Sequence, residues 1–296
     1  MDKKDLIIEE NKIEEIIEET GETIDETVEG TIDENTVENA EEPTPKKKKK
    51  KSGIVYKLVM LICIGVFLFA GYNLYKIQHE YAEIEEYYED IVEEYVEVDE
   101  DGTISYVDLD RLIENNSDVK GWIYIEDTTV SYPLLQGPNN DYYLYLNYDE
   151  EYSGAGSIYI DSANAGDLSD DHTIIYGHNM KNNSMLGRMS DFESQAHRDA
   201  HPNVYILTPD GVWNKYEIFG FYRADVSDGT FNIFTDNPDS MTRYINLVAE
   251  KNCYDNLNLP RDGEKIITLS TCTEDLDDNC RNVLHARFVG TVESIE

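Results

Sequence analysis

Hydrophobic positions change their spacing along the chain, and each spacing predicts a different kind of element. Residues 1–45 carry no aromatic side chain and set a few aliphatic ones among many carboxylates, with a near-repeat, TIDETVEG then TIDENTVE (Thr23–Glu38). Too little apolar surface is present there to offset ordering entropy, so residues 1–53 are expected to be a disordered acidic tail ending in a lysine run. IVYKLVMLICIGVFLFAGYNLY (Ile54–Tyr75) is mostly apolar, with Lys57 close enough to its end to snorkel, and nothing from Leu58 to Tyr72 is charged. That stretch matches the roughly 20 residues a helix needs to cross a bilayer.

Past the apolar run the spacing becomes helical. Ile77, Tyr81, Ile84, Tyr88, Ile91, Tyr95 and Val98 alternate at intervals of four and three. One apolar stripe results, which predicts a stalk or a packing helix within residues 76–102. From residue 103 to 296 short apolar runs alternate with Gly, Asn, Asp and Pro. They are Gly121–Ile125, Val130–Leu135, Gly156–Asp161, His172–His178, Asn203–Thr208, Lys215–Ala224, Lys265–Thr271 and Leu284–Glu293. Eight β-branched and aromatic runs predict a barrel or sandwich in one domain. Helical spacing interrupts them at Asp108–Asn116 and at Asp239–Asn252, where Met241, Tyr244, Ile245 and Val248 share a face. The fold expected is mostly β with helical additions.

Charge adds direction. Six lysines (Lys46–Lys51) precede the apolar run and mainly glutamates follow it. Positive residues stay on the cytoplasmic side, so the tail is expected inside and the C-terminal domain extracellular. A cleaved signal peptide would begin near residue 1, and this run begins past residue 50, which makes it a single-pass signal anchor at the cell membrane. The whole chain carries 62 acidic against 24 basic residues, a net charge of -38. Nucleic acid is therefore excluded as a partner, because phosphate binding needs basic side chains that release counterions.

Cysteine count adds chemistry. Cys63 lies in the apolar run, leaving Cys253, Cys272 and Cys280 outside. Three thiols cannot all pair within one chain. No CxxC occurs, and Cys272 and Cys280 lack a second pair of ligands at close spacing, so neither a metal site nor any other cofactor is expected. A catalytic thiol remains, either alone or beside a disulfide such as Cys253–Cys280. Cys272 ends the apolar run ITLST and opens a polar loop, where a sheet presents reactive groups. Free thiols titrate near pKa 8.5, so such a group needs a base or a cation beside it. Of six histidines, His178 follows the strand-like TIIY and a glycine, which carries it off a sheet end. Arg281 follows the cysteine loop at the start of the next run. If those two strands pair, it returns to Cys272 and can stabilise a tetrahedral oxyanion.

At this point the domain resembles the sortases, the membrane-anchored cysteine transpeptidases of Gram-positive bacteria, and class B in particular. The segments that carry the resemblance are SDVKGWIYI, SYPLLQGPNNDYYL, GSIYID, HTIIYGHNM, and TLSTC followed by RNVLHARFVG. It implies an eight-stranded sortase-type β-barrel with N-terminal helices and a helix inserted before the cysteine strand. Cys272 then corresponds to the nucleophile, His178 to the acid/base and Arg281 to the oxyanion and substrate arginine. Asn140, Leu144, Tyr176 and Ser270, with Thr271 beside it, fall where class B enzymes line the substrate groove. The implied reaction cleaves a C-terminal sorting signal of surface proteins after threonine, often an NPQTN-like signal in class B. It passes through a thioacyl enzyme to an amine of the peptidoglycan cross-bridge or of a pilin. Cys280, directly before Arg281, departs from the family pattern. A plain cysteine peptidase and a catalytically inactive scaffold or adhesion domain are the alternatives. A papain-like order would place the cysteine before the histidine, and here His178 comes first.

Overall fold

The structure, a computed structural model, describes residues 52–100, 102–233, 239–255, 258–261, 263–273 and 279–295. The acidic tail before Ser52 and the carboxylate-rich loop 274–278 lie outside these residues.

Helix α1 runs from Ser52 to Tyr95. Between Tyr56 and Tyr95 it is the one described helix long and apolar enough to cross a membrane. On its C-terminal part, Ile84, Tyr88, Ile91 and Tyr95 are buried, while Ile77 at the start of the striped region is exposed. The four-three spacing is thus used as a packing face. Ile84 and Tyr88 join the cluster that fills the barrel, and the Tyr88 hydroxyl donates to the Gly156 carbonyl at 2.6 Å. Ile91 and Tyr95 join a second cluster with Leu112, Trp122 and Tyr148.

A two-stranded sheet follows, β1 (Val96–Val98) against β2 (Ile104–Val107), then helix α2 (Leu109–Asn115), capped by the Asp108 carboxylate. Eight strands then close into a barrel: β3 (Val119–Tyr124), β4 (Ser131–Leu135), β5 (Ile158–Ile160), β6 (His172–Tyr176), β7 (Asn203–Leu207), β8 (Trp213–Asp225), β9 (Ile266–Cys272) and β10 (Cys280–Val292). Their order around the barrel is β10-β8-β7-β3-β4-β5-β6-β9. The pairs β4–β5 and β6–β9 are parallel and the others antiparallel. Each apolar run picked out by its alternation corresponds to one of these strands.

Alternate residues divide between two faces. Ile158, Ile160, Ile175, Ile267, Leu269 and Leu284 turn inward and form one core with Ile123, Leu134, Ile206 and Ile218. Short helix α3 (Gln195–Ala200) lies between β6 and β7. Helix α4 (Ser240–Lys251) lies between β8 and β9 and buries Met241, Tyr244 and Val248. These pack with Phe219, Ile266 and Val283 on the outer face of the barrel.

Candidate active site

On β6, β9 and β10 the outward residues form rows. Ile174, Thr268 and His285 make one, and Tyr176, Ser270 and Val283 make the next. One step further, Cys272 pairs directly with Arg281. Residues directly opposed across an antiparallel pair stand on the same face with Cβ atoms about 4.5–5.5 Å apart. The thiol and the guanidinium therefore share the outer face, and Cys280, one residue from Arg281, takes the alternate position. Cys272 is exposed, and no disulfide joins any of the chain's cysteines in the structure.

His178 continues the row of Tyr176 past the strand end. The Gly177 amide still donates to the Ser270 carbonyl at 3.2 Å, and the Asn179 side-chain amide donates to the Cys272 carbonyl at 3.0 Å. These two bonds hold the turn against the end of β9. A Cβ at position 177 would lie 2.4 Å from Ile158 Cδ1 and 2.8 Å from Leu186 Cγ, so a larger residue would have to displace these two side chains. His178 Nε2 lies 2.7 Å from the Leu144 carbonyl, which can only accept, so this nitrogen carries its proton. The ring also meets Tyr145, 5.7 Å between centroids. Among the described residues no hydrogen bond joins His178 to Cys272. The imidazole is held by the Leu144 carbonyl and the Tyr145 ring.

The remaining sequence candidates divide. Tyr176 stands opposite Tyr159 and in register with Ser270, on the outer face. Its hydroxyl donates to Asp161 Oδ2 at 2.9 Å, and Asn140 Nδ2 donates to the same oxygen at 2.9 Å. Burial raises the Tyr176 pKa above the usual tyrosine value, and the Asp161 carboxylate raises it further. Leu144 contributes its carbonyl to His178. Ser270 is buried beneath this surface, and its hydroxyl has no partner among the described residues. Thr271 is buried opposite Asn282, and strand alternation turns it away from the Cys272 face. Asp161, Tyr159, Tyr145 and Asn179 were not singled out from the sequence. Asp161 ends the GSIYID run two residues after Tyr159, and that i, i+2 spacing was the available signal. A separate cavity of about 270 Å³, between Ile125, Leu186, Met189 and His201, is not lined by Cys272, His178 or Arg281. No cluster of three or more metal-ligating side chains occurs among the described residues.

A thiol and a guanidinium are thus paired across two strands of a closed β-barrel, with an imidazole on the adjoining turn. The family model described as the sortase domain matches residues 123–289. The chain is 32% identical over 243 residues to sortase B of Listeria monocytogenes, covering 79% of this chain and 96% of that protein. It is also similar to the crystal structure of sortase B from Bacillus anthracis in complex with AAEK1, with TM-score 0.60 and 28% identity over 71% of this chain and 98% of that one. Against Clostridium perfringens sortase B the TM-score is 0.56 and the identity 30%, over 61% and 99% of the two chains. The chain belongs to the sortase family, and within it to class B. It is a cysteine transpeptidase that cleaves sorting signals, on the eight-stranded barrel that the resemblance implied.

Proposed function

We propose that Cys272 is the nucleophile, Arg281 the oxyanion-stabilising cation and His178 the acid/base of this transpeptidase. The substrate is the C-terminal sorting signal of a surface protein, and the acceptor an amine of the peptidoglycan cross-bridge or of a pilin. The observation that carries the reading is the register of Cys272 opposite Arg281 on the outer face.

The Cys272 thiolate attacks the scissile carbonyl carbon, and the electron pair moves onto oxygen beside Arg281. A preorganised cation there lowers the barrier because the charge it meets exists mainly in the transition state. As the C–N bond breaks, the protonated His178 ring gives a proton to the leaving amine, and a thioester remains on Cys272. The incoming amine attacks that thioester, His178 takes its proton, and the thiolate leaves. Atoms and charges balance without any cofactor. The Leu144 carbonyl holds the Nε2 proton, which leaves Nδ1 as the ring nitrogen that exchanges a proton with the leaving and incoming amines.

Residues 54–75 serve as the single-pass membrane anchor, with the tail cytoplasmic and the catalytic domain outside. Support comes from the apolar helix and from the lysines before it.

Full-length enzyme in detergent, incubated with an internally quenched NPQTN-type peptide, tests the reaction. Cleavage with transfer to added amine is expected. Cleavage that never yields transfer product would make the protein a peptidase, and no turnover of any sorting peptide would support the scaffold reading. Protease added to intact cells is expected to digest the domain and spare the tail. A protected C-terminus would overturn the topology.

A further inference from the structure

Asp161 is buried, follows β5, and takes no part in the steps above. Its backbone is fixed first. The amide donates to the Ile174 carbonyl at 2.8 Å, and the carbonyl accepts from Gln136 Nε2 at 3.0 Å. Three donors then converge on the carboxylate. Oδ2 accepts from Asn140 Nδ2 and from the Tyr176 hydroxyl, both at 2.9 Å, and Oδ1 accepts from the Ala163 amide at 2.9 Å. Asn140 is held at its other end as well, since its Oδ1 accepts the Ser162 amide at 2.7 Å. Thus the turn after β5 grips both ends of the Asn140 amide and the tip of Tyr176.

We infer that Asp161 is a positioning residue for substrate selection, holding Asn140 and Tyr176 in the orientation that receives the sorting signal. The inference rests on the reading of Asn140 and Tyr176 as groove residues. Its chemical basis is acceptor count. An ionised carboxylate accepts at both oxygens, whereas an amide accepts at one and donates at the other. Asn at position 161 therefore sets an NH₂ group either against the Ala163 amide or against Asn140 and Tyr176. With both remaining functions of Asn140 already oriented, its second N–H and second lone pair face one way only, as recognition of an extended peptide backbone requires. Arg281 lies close enough to Tyr176 for its charge to act on the phenol, so the same cluster borders the reacting end of the groove.

The test is a double-mutant cycle on full-length enzyme in detergent, reading kcat and KM with an NPQTN-type peptide that the wild type cleaves. The rate of Cys272 alkylation by iodoacetamide and the melting temperature are measured alongside. Asp161→Asn is expected to raise KM about tenfold, the scale of one unmade buried hydrogen bond, with kcat changed far less. Asn140→Ala should raise KM similarly, and the double variant should be little worse than either single one. Alkylation should be unchanged, and Asp161→Glu, which keeps two acceptor oxygens, should recover part of the loss. If Asn140→Ala raises KM while Asp161→Asn leaves it alone, or if the two effects add, the positioning role is wrong and the groove reading stands. If neither Asn140→Ala nor Tyr176→Phe alters KM, both the groove reading and this inference fall. Loss of melting temperature and alkylation together, with KM unchanged, would make Asp161 structural only and overturn the proposal.

Discussion

Strands β6, β9 and β10 carry similar residue types at their two ends, and the ends do different things. At one end His172, Thr268 and His285 meet under helix α4. His172 Nε2 lies 2.7 Å from Thr268 Oγ1, and the Tyr244 hydroxyl lies 2.6 Å from His285 Nδ1. His172 Nδ1 donates to the Asn232 carbonyl at 3.0 Å. Both histidines are fully buried. Burial pushes the His172 pKa down to about 4, and pushes His285 well below the ordinary histidine value, with His172 adding to it. At the other end the same outer face carries Cys272, Arg281 and, on the turn, His178, and Cys272 is exposed. What separates them is the lid of helix α4. Covered histidines become neutral packing, while His178 stands on a turn outside that cover.

The largest expected effect outside the nucleophile itself is at Arg281. Its pairing with Cys272 predicts that Arg281→Ala loses about 10²–10³ in kcat, as loss of one oxyanion donor does. Arg281→Lys should recover only a small part, since it keeps the charge but not the planar fork. Steady-state rates check this, and a wild-type-like Arg281→Ala would erase the contrast between the two ends.

At the covered end the expected effect is on stability. His172 binds its proton with a pKa near 6.5 when unfolded and about 4 when folded. Between those values the unfolded state holds more protons, so stability rises with pH there. It is complete above about pH 6.5 and is lost as the pH falls toward 4, by about 3 kcal/mol for this one group. Denaturant midpoints from pH 7 to 4 should show the slope, and His172→Gln should reduce it, leaving the part that buried His285 contributes in the same direction. The intermediate effect is Tyr244→Phe, which removes a hydroxyl shared by His285 and Thr268. A cost of about 1–3 kcal/mol in stability is expected for the unmade buried bonds, with kcat unchanged. A fall in kcat with stability intact would show that the covered cluster reaches the active end. The smallest effect belongs to Cys280→Ser. Strand alternation sets that thiol opposite to the Cys272 face, so peptide turnover should stay within about twofold of wild type, less than 1 kcal/mol in barrier.

Much of this comparison was visible before folding. Eight strands stood out because alternating β-branched and aromatic runs were bounded by turn residues, and His178 stood out because a glycine follows its strand. The pairing of Arg281 with Cys272 was conditional, since register depends on contacts that no local pattern encodes. Asp161 was hidden for the same reason. Its donors come from Asn140, 21 residues earlier, and Tyr176, 15 residues later, and an acid after a strand reads as a turn. The β1–β2 pair escaped because VEV and ISYV are too short to show alternation. Helix α3 escaped because it buries none of its residues and so has no apolar stripe.

The most direct measurement is the intact mass of the full-length protein after incubation with an NPQTN-type peptide and no amine acceptor. The account predicts an added mass equal to the acyl portion of the peptide, removed by hydroxylamine as a thioester is. Peptide mapping should locate it on Cys272. Cys280→Ser should still form the adduct, and Cys272→Ala should form none and turn over no peptide. An adduct on Cys280 or Cys253, or turnover by Cys272→Ala, would contradict the assignment of the exposed end of β9 as the reactive one.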